Sequence, residues 1–530
     1  MSYFKGRSLT IIADLSIEER KYLFKKTKEL KDAIESDNKK VIDAFRINDA
    51  DFGIYEVFLE SSTRTKESFR NAANFHHVKL NDLTTALSSF NKGESYADTF
   101  NTLIGYGNSI FIIRTTTEGV CKWLELESRE YAKRNGIKVL PSFINAGDGK
   151  HEHPTQELLD EFTFLEDNDW STKKIHIALV GDLYHGRTVH SKASGLTLFD
   201  NVEVDLIAPK ELKMPEYYKQ KMEDNGFLVR EFSSIDEYLK DEHVALMWYF
   251  TRPQLERMGD DVLQIADRLR YSITFRKDFI PLISPKTRFY HPLPRHKEHP
   301  TIPTFLDSTD FNGWERQSIN GMYVRMTLLS MFAGKIGDDF EHDDAINTKT
   351  SCDEEYIIKV PIDEKEKKIS NAFAEGVRPI KEGIVIDHIC RGQSPEDIRR
   401  HISTIMKVMK LENGRGGEWV STSTRNENTF KGIIFRPGEH TLERRHLKRL
   451  AAVSPGCTLN IIKDGKISEK YRVHLPPRIY NFVDIACKNN ACVSNPSQSE
   501  GVPAMFRKTK NDQYVCKYCG HTHTFEEIWK

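Results

Sequence analysis

The sequence predicts an α/β protein with two doubly wound, mostly parallel sheets, followed by a small α+β domain and a four-cysteine zinc-binding β domain. Three observations carry this. Short β-rich apolar runs alternate with helical patterns through about the first 300 residues, the alternation expected of parallel sheets covered on both faces. A polar, charged stretch runs from Gly334 to Gly376, and four of the eight cysteines crowd into the last 44 positions. At 530 residues the chain is too long for one hydrophobic core. The expected domains are 1–148, 149–335, 377–474 and 475–530, with a linker over 336–376.

The elements follow in order. Residues 55–59 read as a strand and 66–73 as the helix after it. Further strands are expected at 110–113, 137–140, 177–180, 204–207 and 244–249, a helix from near Glu94, and a closing helix over 317–332. Beyond the linker, 383–389 reads as a strand. The helix that follows is opened by Ser394-Pro395-Glu396-Asp397, where Ser as N-cap, Pro at the first turn and an acid at the third position agree. A strand around 432–435, a helix near 442–450 and a β pair turning at Asp464-Gly465 complete that domain. No internal repeat is visible.

Composition narrows the function. With 77 basic and 78 acidic residues there is no global case for nucleic acid or an anionic membrane as partner. No run of about 18 apolar residues occurs, and the start lacks a signal-peptide pattern, so the chain reads as a soluble, cytoplasmic protein. Sparse cysteines are unlike a secreted disulfide framework.

Five polar clusters sit just after apolar strands, where open α/β sheets bind ligands. They are Ser62-Thr63-Arg64-Thr65, Arg114, Gly181 to Arg187, Thr251-Arg252-Pro253-Gln254 and His291-Pro292-Leu293-Pro294-Arg295. Four of them supply Arg64, Arg114, Arg187 and Arg252, so the shared cleft should be strongly positive and take anions. Ser62 to Thr65 combines a helix N-terminus with a planar guanidinium fork, a phosphate grip. The same residues also suit a plain helix cap. His153-Pro154-Thr155-Gln156 follows a turn at Asn145 to Gly149. His153 can polarise a carbonyl, serve as a structural histidine, or pair with His151 on a metal. Lys92 lies in a loop from which it could reach an anion, although loop lysines are commonly only solvated.

Taken in order over about 330 residues, these motifs resemble the transcarbamoylase family, specifically the aspartate carbamoyltransferases. Ornithine-type relatives share the phosphate turn but carry His-Cys-Leu-Pro where this chain has His291-Pro292-Leu293-Pro294, and they lack the Thr-Arg-x-Gln element. The resemblance implies a transcarbamoylase fold and transfer of the carbamoyl group of carbamoyl phosphate to L-aspartate, giving N-carbamoyl-L-aspartate for pyrimidine synthesis. It implies that Ser62, Thr63, Arg64 and Thr65 hold the phosphate, and that Thr65, Arg114 and His153 surround the carbonyl oxygen. Gln156 and the backbone of Pro292 and Leu293 would meet the carbamoyl NH2, with Pro294 completing the turn. Arg187, Arg252 and Gln254 would clamp aspartate, with Ser88 and Lys92 entering from a neighbouring subunit, which makes a trimer the expected assembly. Glu60, Arg187 and Arg257 match positions that lock the domains shut. The rivals are a carbamoyltransferase for another amino acid and a non-catalytic zinc-containing assembly protein.

At the C-terminus, Cys487-x4-Cys492-x23-Cys516-x2-Cys519 suits a closed, structural four-cysteine zinc site. A nucleic-acid-binding zinc ribbon is a weak alternative, since residues 471–530 carry 8 basic and 5 acidic side chains. From about residue 377 the chain resembles the regulatory chain of aspartate carbamoyltransferase, whose nucleotide-site positions fall on Val377, Asp387, His388, Asn460 and Lys470. Two departures stand out. A lysine expected within Ile433-Ile434-Phe435-Arg436 is missing, and an aromatic position reads Gly465.

Overall fold

The computed structural model describes residues 2–84, 93–254, 265–341, 356–362, 381–390, 394–412, 415–423, 426–438 and 444–529. The chain divides into two units, Met1–His342 with Asn489–Val502 and Asp343–Lys488 with Pro503–Lys530.

The first unit contains two parallel sheets. β1 (Gly53–Phe58), β2 (Lys79–Thr84), β3 (Asn108–Thr115) and β4 (Ser142–Asp148) lie in the order β2-β1-β3-β4. β5 (Lys174–Val180), β6 (Asn201–Ile207), β7 (Leu228–Phe232), β8 (Met247–Phe250) and β9 (Arg288–Tyr290) lie in the order β7-β6-β5-β8-β9. In both sheets the order reverses beside the first strand, which opens a crevice at the carboxyl ends. Ile110, Ile112, Ile177, Leu179 and Val204 are completely or almost completely buried, as sheets covered on both faces require.

Helices tie the two sheets together. Ile17–Glu35 starts with a capping box, Ser16 accepting from the Glu19 N–H while the Glu19 carboxylate accepts from the Ser16 N–H. From Asn320 onward the long helix Trp314–Ala333 is buried nearly all round. It packs against Ile17–Glu35, Thr63–Phe75 and Pro154–Asp167. Between Pro154–Asp167 and the helix Arg187–Gly195 lies a dry ionic knot. Lys192 Nζ is 2.5 Å from Glu157 and 2.7 Å from Asp160, with all three side chains 0% exposed. Arg20 meets Glu161 at 2.8 Å nearby.

Three expectations change. Residues 137–140 form no strand; the strand starts after Pro141, at Ser142, and includes Asn145 to Asp148, which the sequence suggested as a turn. The backbone of Leu9 pairs with it on its outer side, donating to Phe143 and accepting from Asn145. The polar stretch expected to be all linker contains the strand Ile357–Lys359, paired with Tyr471–Val473. The edge strands β2 and β7 also went unpredicted, because edges tolerate polar residues such as Lys79, Asn81, Asp82, Arg230 and Glu231.

The second unit carries a six-stranded antiparallel sheet in the order Ile357–Lys359, Lys466–Val473, Thr458–Lys463, Gly383–Ile389, Asn426–Pro437, Gly417–Ser423. Ile384 and Ile386 share a core with Ile398, Ile402 and Ile405 of the helix Pro395–Val408. Ser394 caps that helix by accepting from the Asp397 N–H, as its sequence predicts. A second, four-stranded antiparallel sheet spans Arg478–Tyr480, Met505–Lys508, Tyr514–Cys516 and Thr522–His523.

Candidate active site

All five clusters meet in one cleft of about 450 Å³ in the first unit. Ser62 to Thr65, Arg114, His153, Gln156, Arg187, Arg252, Gln254 and Pro292 to Pro294 line it. Ser88, Lys92 and Arg257 lie outside the described residues.

Ser62 to Thr65, the candidate phosphate site, are placed by the turn from β1 into Thr63–Phe75. Ser62 occupies the N-cap position with extended backbone, yet its side chain makes no capping bond. An N-cap serine ordinarily accepts from the first turn. Here the side chain does not close the first turn on itself, so that turn can still donate to an anion.

Arg114, near the end of β3, donates to the Ala146 carbonyl at 3.1 Å and pairs with Glu60 at 3.3 Å. Burial and the neighbouring Arg187 pull its guanidinium down to about 10, against the opposing pull of Glu60. Arg187 donates to the Gly149 carbonyl at 2.8 Å and lies 3.5 Å from the same Glu60 carboxylate. A single carboxylate thus bridges two ligand-facing arginines. Gly147 makes their approach possible. Its φ is +114°, and a Cβ there would stand 2.8 Å from Arg114 Nη1 and 3.2 Å from Arg187 Cζ.

His153 caps the helix Pro154–Asp167 and is 4% exposed. Its Nε2 faces the Thr65 hydroxyl and its Nδ1 the Thr155 hydroxyl, each at 3.4 Å. Burial, then Arg187, Arg114 and Arg325, hold the ring well below the usual histidine pKa, so it is neutral at neutral pH. His151 is engaged separately. It spends Nδ1 on Asp148 at 3.0 Å, and burial is outweighed by that carboxylate, which raises the ring to about 9.

Gln156 is oriented by Asp160, which accepts from its Nε2 at 2.9 Å. A carboxylate beside Lys192 can only accept, so the amide turns its NH2 away and keeps its carbonyl oxygen free to accept. Gln317 also donates to Asp160, at 2.6 Å, and its oxygen accepts from the His291 N–H at 2.9 Å. His291 Nδ1 in turn accepts from the Leu293 N–H at 2.8 Å. Leu293 has a φ of +56°, and the Leu293–Pro294 bond is cis.

Asp182 joins the loops after β5 and β8. It accepts from the His185 N–H and the Gln254 N–H, both at 2.9 Å. Burial alone would raise its carboxyl, but these bonds and the His185 ring hold it below the ordinary value. Gln254 also donates to the His185 carbonyl at 3.3 Å. Arg325 is a charged lining residue that sequence reading missed. It is 3% exposed and has no carboxylate partner among the described ion pairs. Its signal is a lone arginine in the apolar run Met322 to Phe332, with no acid three or four positions away.

The C-terminal cysteines also gather as their spacing predicts. Cys487, Cys492, Cys516 and Cys519 are buried, with their sulfurs within 4.8 Å of one another. A tetrahedral zinc thiolate site, with Zn–S of about 2.3 Å, needs sulfurs about 3.8 Å apart; Cys487 and Cys519 are 3.7 Å apart. The donor set fits Zn2+, with four ligands and no open position, a structural role. Chelation should expose these thiols and loosen the small sheet. Thiol titration during dialysis against a chelator would read that; four thiols staying unreactive after metal loss would contradict it.

Among the effector positions, Asn460 pairs with Val385 on one side and Lys470 on the other, and Asp387 lies two residues further along the same face. His388 Nδ1 is 3.0 Å from the Thr458 hydroxyl. Val377 lies outside the described residues. The lysine missing from 433–436 has a neighbour in Lys431, whose Nζ is 2.9 Å from Asp387.

Two parallel-sheet lobes with an arginine-lined cleft at their strand ends define a group-transfer enzyme of the transcarbamoylase class. The chain matches the Aspartate/ornithine carbamoyltransferase carbamoyl-P binding domain over residues 7–166 and the Asp/Orn binding domain over 173–332. It matches the Aspartate carbamoyltransferase regulatory chain allosteric domain over 375–474 and metal binding domain over 477–529. Protein PyrBI of Treponema denticola is 69% identical over 526 residues, covering 99% of this chain and 98% of the relative. Protein PyrBI of Thermotoga maritima is 50% identical, covering 99% of each. Aspartate transcarbamoylase from Trypanosoma cruzi, solved with carbamoyl phosphate and aspartate, superposes with a TM-score of 0.52 at 28% identity, covering 62% of this chain and 98% of that one. The chain belongs to the aspartate carbamoyltransferase family, in the form that joins catalytic and regulatory parts in one polypeptide.

Proposed function

We propose that the chain transfers the carbamoyl group of carbamoyl phosphate to the amine of L-aspartate, yielding N-carbamoyl-L-aspartate and phosphate for pyrimidine synthesis. The observation that carries this is the uncapped Ser62 turn facing Arg114, Arg187 and Arg252 across one cleft. Ser62, Thr63, Arg64 and Thr65 take the phosphate. Arg114, Thr65 and the neutral His153 face the carbonyl oxygen, where negative charge develops as the amine attacks. Gln156 and the backbone of Pro292 and Leu293 receive the NH2 group, with Pro294 closing that turn. Arg187, Arg252 and Gln254 hold the two carboxylates of aspartate. No covalent enzyme intermediate is needed, since positioning two anions and stabilising the oxyanion lower the barrier. The departing phosphate is a suitable acceptor for the amine proton.

Glu60 acts as a stand-in anion between Arg114 and Arg187 until substrates bind. Ser88 and Lys92 complete the site from a neighbouring subunit in a trimer, and Glu60, Arg187 and Arg257 lock the closed state. The sheet face carrying Asp387, His388, Asn460 and Lys470, together with Val377, is the place for a nucleotide effector. None of the seven described cysteines is in a disulfide, which suits a reducing, cytoplasmic setting. No described helix is long and apolar enough to cross a membrane. The test is carbamoyl transfer to aspartate against ornithine. Product with aspartate alone is expected; product with ornithine alone, or with neither, overturns the assignment.

A further inference from the structure

The buried guanidinium of Arg325 hydrogen-bonds only to neutral groups, and Asp160 acts on it through space without an ion pair. Nη1 donates to the Ser68 hydroxyl at 2.9 Å, Nη2 to the Thr155 hydroxyl at 3.4 Å, and the group lies 4.9 Å over the Phe69 ring. Room for it is built in: a Cβ at Gly321 would stand 2.8 Å from Nη1. An arginine is costly to bury without a carboxylate. This one sits in the wall of the cleft, one hydroxyl away from His153.

The chemistry of that hydroxyl is restrictive. A guanidinium only donates, so the Thr155 oxygen must accept from Arg325. Thr155 is 0% exposed, and the other partner of its oxygen is His153 Nδ1 at 3.4 Å. A buried hydroxyl proton left without an acceptor is penalised by about 1–3 kcal/mol. The proton therefore points at Nδ1, which makes Nδ1 the acceptor. In a neutral ring the other nitrogen then carries the hydrogen. That nitrogen, Nε2, is the one facing Thr65 at 3.4 Å and the phosphate grip beyond. Both distances are at the long end for hydrogen bonds.

We propose that Arg325 and Thr155 are positioning residues that hold His153 as its Nε2–H tautomer, with the N–H aimed at the carbonyl oxygen of the carbamoyl donor. This rests on the reading of His153 as a carbonyl-polarising donor. Without the relay, the ring could place its hydrogen on Nδ1 and offer a lone pair to a carbonyl oxygen that needs a donor. Wrong-tautomer binding would leave phosphate affinity largely intact and slow the chemical step.

The test uses the full-length protein with 13C-carbonyl carbamoyl phosphate, following the carbonyl stretch of the bound ligand by difference infrared spectroscopy. In the parent enzyme the band should move to lower wavenumber than in solution. Thr155→Val, which keeps shape but removes the hydroxyl, should lose the shift and lower kcat about 10–100-fold, with KM for carbamoyl phosphate changed less than about threefold. Thr155→Ser should keep the shift. Arg325→Gln, whose amide oxygen can take the Thr155 proton, should lose it. His153→Ala separates the two levels. A parent-like shift in His153→Ala overturns the reading of His153 itself. Loss there, but a parent-like shift in Thr155→Val or Arg325→Gln, overturns the relay alone.

Discussion

Replacing Arg64 with alanine should lower kcat/KM for carbamoyl transfer about a thousandfold while leaving the folded structure unchanged. Arg64 makes no ion pair among the described residues, so its loss removes no internal partner. What is lost is a charged, planar donor at the mouth of a helix N-terminus, where a phosphate would otherwise receive two parallel bonds. Removing one preorganised donor from a developing anion typically costs about 10²–10³ in rate, and Arg64 also supplies ground-state binding. Steady-state kinetics with circular dichroism on the same preparation would check this. Turnover within about threefold of the parent would sink the phosphate grip. Arg64→Lys should recover only part of the loss, because an ammonium cannot offer a fork.

Lys192→Met should be the most destabilising single change in the first unit, at about 3–5 kcal/mol. The lysine holds Glu157 and Asp160 in a place closed to solvent. Burial would strip its proton, but the two carboxylates outweigh that and raise its pKa. Removing it leaves two buried acids facing each other. The urea midpoint should fall clearly. Activity should fall with it, because Asp160 orients Gln156 and, through Gln317, the His291 turn. An unchanged midpoint would mean the acids had found other partners or taken up protons at no cost.

Much of this was legible from the sequence, for identifiable reasons. Strands such as Ile177 to Val180 are buried on both faces and therefore read as unbroken apolar runs. The residues that follow them sit at the one edge where a parallel sheet binds ligands, so motif and position coincide. Residues 137–140 misled because apolar character there belongs to the approach to Pro141. The true strand spends Asn145, Gly147 and Asp148 on holding the neighbouring loop. Arg325 escaped because it lies in a helix whose pattern signals core, and only its isolation from any acid marks it as unusual. The Asp160 network was invisible for a different reason. Its members, Gln156, Lys192 and Gln317, are brought together across three helices by tertiary packing alone.

The helix Trp314–Ala333 has a consequence for biosynthesis. It covers Ile17–Glu35, Thr63–Phe75 and Pro154–Asp167, all made long before it. A ribosome adding about 5–20 residues per second needs on the order of ten seconds to travel from the end of Pro154–Asp167 to Trp314. For that interval the nascent amino-terminal lobe shows a sticky helical face to the cell, and the helix opened by Ser62 lacks the arginine that will later pack behind it. Chaperone holding should therefore be concentrated on chains between those two lengths, and the wall of the cleft behind the Ser62 turn should form only when residue 333 has cleared the exit tunnel.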